Sequence, residues 1–472
     1  MQELPRRRPG ERIIRRALIH PIRIALTARR PRPPRSLSPL ILLYAFGVII
    51  GIGTFALALP ISAQGGGWTP FMDAFFTSTS ATTVTGLTVV DTATAWTPFG
   101  KGVILVLIQV GGLGIMTIST LLILAVGRRV GLRERFTLSM ESSGRATFGG
   151  AVRLVRTIGL MVLIAEVIGV IAFTARFSFD HPFPTALWHG VFHSVSSFNN
   201  AGFVVLPGEG IQAYQSDLSI LLITAALIMA GGISYAVIMN VMAVRRFGRL
   251  SLDTKLVLTM SLALWAVGMV VFFVAEYSND ATMGAMSVGD KLANSFFATT
   301  SGRTAGFESV SVAAMREYTW LALMGLMFIG GAAGSNVGGI KVATFALILA
   351  SVWATIRGRP RVELFKRQIP SQQVSIALAI GASGLAIILG VVFVLAIVED
   401  VPLVELLFET VSAFGTVGNS TGVTAMLSVA GQVLIALTMF VGKIGPVTLM
   451  LALSQRTRPT LYQYGHENVR IG

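Results

Sequence analysis

Hydrophobic and polar positions do not alternate on a short period in this chain; they come in long blocks. Residues 36–72, 102–127, 218–244, 256–275, 319–340, 374–398 and 410–442 contain no Asp, Glu, Lys or Arg, and 157–175 contains one, Glu166. A membrane-crossing helix needs roughly 20 mostly apolar residues, so the blocks predict eight long helices. Several blocks exceed one crossing and have room for extra apolar elements. Only 12% of the 472 residues are charged and 53% are hydrophobic, against ~25% charged in a soluble domain. A large soluble catalytic domain is thereby excluded. The first 36 residues are basic and proline-rich, with no apolar core before a small-residue cleavage site, so no cleavable signal peptide is expected.

The net charge of +15 is mainly topology. Segments 1–36, 128–156, 245–255, 357–367 and the tail beyond 454 hold 30 of the 37 basic residues but only 7 of the 22 acids. By the positive-inside rule these five segments face the cytoplasm, both termini included, and acidic connections such as 276–290 face out. A multi-pass protein of the plasma or inner membrane follows, in contact with lipid. Basic residues dispersed between spans argue against nucleic acid as a partner. With no cysteine, disulfide frameworks and thiolate metal sites are excluded. His181, His189 and His193 have no carboxylate arrangement that argues for metal, and read as vestibule or packing residues.

Two helices separate each basic segment from the next, which predicts four units. The outward connections contain FTSTSATTVTGLT, FHSVSSFNNAGFV, FFATTSGRTAGFE and FETVSAFGTVGNS, which align without a gap. Phe76, Phe192, Phe296 and Phe408 each lie ten residues before Gly86, Gly202, Gly306 and Gly418, and Ser80, Ser196, Thr300 and Ser412 lie six before. The fold class expected is an all-α polytopic membrane protein: four pseudo-repeats of helix, re-entrant pore loop and helix around a central ion pathway. Its parts are a basic N-terminal tail (1–36), repeat one (37–127), repeat two with its linker (128–244), repeat three (245–356), repeat four (357–455) and a C-terminal tail (456–472). In each unit a short apolar segment precedes the glycine and irregular chain follows it. Irregular backbone at membrane depth survives only buried in protein or lining a watery cavity. A pore helix followed by an extended loop meets that condition, its C-terminus aiming partial negative charge at a common axis. Glycine accepts backbone angles that turn carbonyls inward. Four inward carbonyl sets would replace a cation's hydration shell. The alternative is four ordinary outer turns.

The strings SATTVTGLTVVDTAT, FNNAGF, GRTAGF and GTVGNSTG resemble the Trk/Ktr/HKT superfamily of potassium transporters, over roughly residues 38–455. Within it the basic tail, in place of an additional transmembrane pair, is most similar to the membrane subunits of bacterial Ktr systems. The resemblance implies a selectivity filter at Gly86, Gly202, Gly306 and Gly418, with Val84, Thr85, Asn200, Ala201, Thr304, Ala305, Thr416 and Val417 before them. Potassium would sit at their backbone carbonyls, with a sodium ion a further candidate. Gly86, where sodium-favouring relatives often have Ser, favours potassium. No covalently bound cofactor is implied. A homodimer, sodium-stimulated flux and a separate cytoplasmic RCK-type regulatory subunit that carries the nucleotide are.

Each second helix has a glycine pair near its middle: Gly111 and Gly112, Gly231 and Gly232, Gly330 and Gly331, Gly442 and Gly445. Close packing or a bend is the simplest role. In repeat three the string IGGAAGSNVGGIKVATF carries five glycines, too many for a continuous span. A broken helix is expected there. The resemblance makes its loop, 330–341, the intramembrane gate, with Gly330, Gly331, Gly334, Ser335, Asn336, Gly338, Gly339 and Lys341. Lys341 and Lys443 interrupt apolar stretches, and an unpaired Lys at mid-membrane costs about 2.5–3.5 kcal/mol. Each should therefore face water, a carboxylate or carbonyls. Lys443 stands where the family usually has a pore-facing Arg. It keeps the charge without the planar fork; pairing without contact to the ion is the alternative for both lysines. Glu166, Glu405, Glu409 and Arg303 read as structural partners, Arg303 bracing the filter loop. A secondary cation transporter is the nearer rival. An enzyme is not expected, since no nucleophile with an apposed base is visible.

Overall fold

The computed structural model describes residues 39–127, 148–208 and 210–455. The basic N-terminal tail with its amphipathic stretch 11–20, most of the second basic segment, and the C-terminal tail lie outside the described residues.

Four outer helices, Pro39–Ala58, Phe148–Phe177, Leu252–Glu276 and Ser371–Val398, each lead into a short pore helix: Phe71–Thr83, Phe183–Phe198, Val288–Ser301 and Leu403–Gly415. Inner helices return the chain. The first and fourth are Pro98–Gly127 and Val429–Gln455. Three outer helices are each long and apolar enough to cross a membrane. They carry apolar side chains outside as well as in: Ile164, Ile168 and Ile171, Val270 and Val274, Phe393 and Ile397 are exposed. In water that surface would be a liability; against lipid it is expected. Glu363–Leu364 and Arg367–Gln368 add a two-stranded antiparallel ribbon in the basic segment before the fourth unit, too small to alter the all-α class.

Two of the eight expected helices are not continuous. The second inner helix bends by 94° between Leu218–Gly232 and Tyr235–Val244, where the Ser234 side chain caps the new helix by accepting from the Val237 N–H at 3.3 Å. The third breaks altogether, Glu317–Phe328 being separated from Val342–Ile356 by a loop. The glycine-rich string anticipated this second break; the first bend was one of the two roles open to its glycine pair.

Pore helices begin where the chain has little choice. Pro70, Pro182 and Pro402 occupy three N-cap positions, their φ fixed by the ring. In the third unit the Ser287 hydroxyl takes that place and accepts from the Asp290 N–H at 3.2 Å. Outer and pore helices then pack closely: the Ser78 hydroxyl donates to the Ile50 carbonyl at 2.8 Å, and Ser194 to that of Glu166 at 2.7 Å.

Inner-helix glycines do the same from the other side. A Cβ on Gly111 would lie 2.0 Å from the Thr82 carbonyl oxygen, on Gly231 1.7 Å from that of Phe198, and on Gly442 2.0 Å from that of Phe414. All three carbonyls belong to the residue four before a repeated glycine. Close packing is thus the role of these glycines. Gly231→Ala should cost about 1–3 kcal/mol by overpacking, read as thermal unfolding in detergent. Gly159→Ala, with nothing within 4 Å, should be neutral or stabilising by up to ~1 kcal/mol. Equal effects of the two would refute the packing account.

Candidate functional site

The four pore helices end at one place. A Cβ on Gly86 would lie 2.5 Å from the Ala201 carbonyl oxygen, and on Gly202 2.5 Å from that of Ala305. On Gly306 it would lie 2.3 Å from the Val417 oxygen, and on Gly418 2.2 Å from that of Thr85. The cycle closes: each glycine abuts the carbonyl that precedes the next. All four glycines have positive φ, from +68° to +101°, where side chains are disfavoured, and any Cβ would strike backbone. The residues before them are equally enclosed, Val84, Thr85, Asn200, Ala201, Thr304, Ala305, Thr416 and Val417 all being buried.

Three of the helix ends share one device. Val84, Asn200 and Thr416 take left-handed φ of 55°, 60° and 51°. Each sits one residue past a turn in which the next amide reaches back five residues, as Thr85 does to the Ser80 carbonyl at 2.9 Å. Ser80 and Ser412 hydroxyls accept from the Gly86 and Gly418 amides at 3.1 Å. Ser196 instead donates to the Phe203 carbonyl at 2.9 Å.

Repeat three departs from the gap-free alignment. Thr304 is not left-handed, and the Ser301 carbonyl takes both the Ala305 amide at 2.7 Å and the Gly306 amide at 3.2 Å. The third helix ends at Ser301, five residues before Gly306, where the others end three or four before their glycines, and two equivalent helix residues lie one position nearer the glycine in sequence. Phe297, not Phe296, is the wholly buried aromatic matching Phe76, Phe192 and Phe408. Ser301, not Thr300, bonds across the loop, donating to the Phe307 carbonyl at 2.7 Å, while Thr300 bonds within its own helix to Phe296.

Against this ring lies the 330–341 loop, pinned from several sides. Its Ala332 and Asn336 backbone amides donate to the Gly232 and Gly231 carbonyls at 3.1 and 3.4 Å, groups near the bend in the second inner helix. Its Gly338 amide donates to the Thr416 hydroxyl at 3.0 Å, and Gly339 to the Gly442 carbonyl at 3.3 Å. The loop's ends close on each other, Gly330 N–H to Ile340 C=O at 2.8 Å and Val342 N–H to Gly331 C=O at 3.0 Å. Gly334 and Gly339 have positive φ, and Ser335 bonds back to the Ala332 carbonyl at 2.7 Å. Both lysines take carbonyls, as expected: Lys443 donates to that of Asn336, and Lys341 to that of Val337. Asn200 Oδ1 and Asn336 Oδ1 are buried acceptors with no hydrogen-bond partner.

A family model described as TrkH, cation transport protein, matches residues 40–459. The chain belongs to this family. It is similar to the Ktr system potassium uptake protein B of Bacillus subtilis, 41% identical over 88% of this chain and 93% of that relative. Its counterpart from Vibrio alginolyticus is 36% identical over 92% and 95%. The potassium/sodium uptake protein NtpJ of Enterococcus hirae is 32% identical over 95% and 100%. The crystal structure of the potassium transporter TrkH from Vibrio parahaemolyticus shares the fold, with a TM-score of 0.71 at 17% identity over 92% of this chain and 87% of that one.

In this TrkH-family chain Arg303 braces the loop rather than the ring. Its guanidinium donates to the Gly330 carbonyl at 3.4 Å and lies over the Trp265 ring at 5.2 Å. Glu409, wholly buried, accepts from the Ser420 hydroxyl at 2.7 Å and the Thr421 amide at 2.8 Å, holding the chain after Gly418. No group of three or more His, Asp or Glu side chains among the described residues is placed for a metal ion; His193 packs among Phe173, Phe177, Phe192 and Phe307. Two polar residues escaped the sequence reading. Asn199, beside Asn200 in FNNAGF, accepts from the Asn336 side-chain amide at 3.2 Å, and Gln109 reaches Asn199 at 3.0 Å. A lone Gln within the charge-free 102–127 block was the available signal.

The one-residue shift is testable. Phe297→Ala should cost about 3–5 kcal/mol, the usual range for a buried Phe, and Phe296→Ala distinctly less, by thermal unfolding in detergent. Equal or reversed losses would restore the gap-free register.

Proposed function

We propose that this chain is the membrane subunit of a potassium uptake system and conducts monovalent cations through the ring of Gly86, Gly202, Gly306 and Gly418. The closed ring carries the reading. Four helix C-termini converge on it, aiming partial negative charge, and the carbonyls of Thr85, Ala201, Ala305 and Val417 would replace a potassium ion's hydration shell. The names of the Bacillus and Vibrio relatives, potassium uptake proteins of Ktr systems, support potassium as the ion and a system of more than one subunit. The 330–341 loop and Lys443 would limit flow beneath the filter. A homodimer, both termini cytoplasmic, sodium-stimulated flux and control by an RCK-type nucleotide-binding subunit docked on the basic segments complete the proposal. Acid excess outside those segments, 15 against 7 bases, suits cation entry from the other face.

A secondary transporter of mixed potassium and sodium selectivity is the second reading. It is favoured by the two interrupted inner helices and by the potassium/sodium uptake name of the Enterococcus relative. Potassium uptake in a transport-deficient strain, with and without an RCK partner, tests the proposal; strict coupling of uptake to a second ion would favour the transporter. Gly86→Ser and Gly306→Ser should each reduce potassium over sodium discrimination by about tenfold, ~1.4 kcal/mol. Unchanged selectivity in both well-folded variants would sink the filter assignment. Deleting residues 332–337 should raise flux, and an equal or lower rate in folded protein would remove the gate.

A further inference from the structure

Glu166 is a buried carboxylate inside an outer helix, away from the glycine ring. Both of its oxygens accept. Gln109 Nε2 donates to Oε2 at 3.1 Å, and Asn199 Nδ2 donates to Oε1 at 3.1 Å. Asn199 Nδ2 also reaches Gln109 Oε1 at 3.0 Å and the Val195 carbonyl at 3.0 Å. The other end of that amide, Oδ1, accepts from Asn336 Nδ2 at 3.2 Å. Asn336 is the loop residue whose carbonyl takes the Lys443 ammonium. The chain of contacts thus runs Gln109, Glu166, Asn199, Asn336, Lys443, drawing on all four units. Gly112 makes room for it: a Cβ there would lie 2.0 Å from Asn199 Oδ1.

An amide side chain has nearly the same shape either way round, so packing alone does not decide which end faces the loop. A carboxylate does, because it only accepts, and the Val195 carbonyl favours the same sense from the other hydrogen. Facing Glu166, Asn199 must present its NH2, which leaves its oxygen for Asn336. Reversed, it would set oxygen against carboxylate and NH2 against the NH2 of Asn336. We infer that Glu166 is a positioning residue for the gate: by fixing the sense of the Asn199 amide it latches the 330–341 loop in place. The inference rests on the proposed gating role of that loop. Glu166 touches neither a filter glycine nor the ion, and acts only through Asn199.

Glu166→Gln is the discriminating change, because it keeps shape while offering an NH2 of its own. The introduced amide and those of Gln109 and Asn199 can then order in either sense, and in one of them Asn199 turns a donor to the loop. The full-length protein, reconstituted into potassium-loaded vesicles without any partner subunit, is assayed for potassium flux. Glu166→Gln should raise flux about five- to tenfold with potassium over sodium selectivity unchanged. Asn199→Ala should raise it similarly, which keeps the test available if the first variant fails to fold. In protein already lacking residues 332–337, Glu166→Gln should add nothing. Three results overturn the inference: no rise in folded Glu166→Gln and Asn199→Ala while the loop deletion does raise flux; an equal rise with and without the loop; or a rise accompanied by lost selectivity. The first leaves the gate standing and removes only the latch. If the loop deletion itself raises nothing, the gate falls and the latch with it.

Discussion

The contact on which the rest depends is backbone against backbone: four glycines, each set so close to a neighbouring unit's carbonyl that a methyl group would overlap it. Such a ring tolerates no side chain at four positions, and it fixes how far each pore helix can run before turning. It also fixes what stands behind those helices. Gly111, Gly231 and Gly442 bring the inner helices onto the carbonyls of Thr82, Phe198 and Phe414, so that the ring is clamped from outside by further close approaches. Without a hydrophobic driving force between helices in lipid, small residues and fitted contacts supply the association. The same close approach that makes the ring possible also holds it together.

Repeat three departs from the pattern: inside a membrane-spanning unit, a loop separates Glu317–Phe328 from Val342–Ile356. Gly330, at the place where the other units press a glycine onto a pore helix, instead lies against the Gly338 carbonyl of the loop. Exposed peptide groups at that depth cost several kcal/mol each unless paired. The loop answers the demand locally: its ends bond to one another, and its interior amides take the carbonyls of Gly231, Gly232 and Gly442 and the hydroxyl of Thr416. The bend after Gly232 therefore belongs with the break in the third inner helix, since a helix that has stopped can offer its last carbonyls to a neighbour.

How far the sequence was legible follows from which forces are local. Blocks without charge located the spans, and the repeated Phe and Gly located the ring, because lipid and close backbone approach each demand a residue type at a place. Five glycines likewise announced the broken helix. The register of the third pore helix was not legible, since Phe296 and Phe297, like Thr300 and Ser301, are neighbours of equivalent chemistry. Only the absence of a left-handed residue at Thr304 separates the alternatives. Nor was the partner of Glu166 legible: Gln109 and Asn199 are 57 and 33 residues from it, and amide to carboxylate pairing leaves no periodic trace.

Lys443 ties the fourth inner helix to the 330–341 loop. The residue is 2% exposed, and its ammonium gives a hydrogen bond to the Asn336 carbonyl, a group of the loop itself. Moving the loop removes that acceptor. A hydrogen bond to a charged group contributes about 1.5–3 kcal/mol, so displacing the loop costs about that much unless water takes the place of its carbonyl. The observed position of the loop is thereby stabilised by a buried ammonium. A loop that presents backbone oxygen rather than acid thus accommodates a compact ammonium.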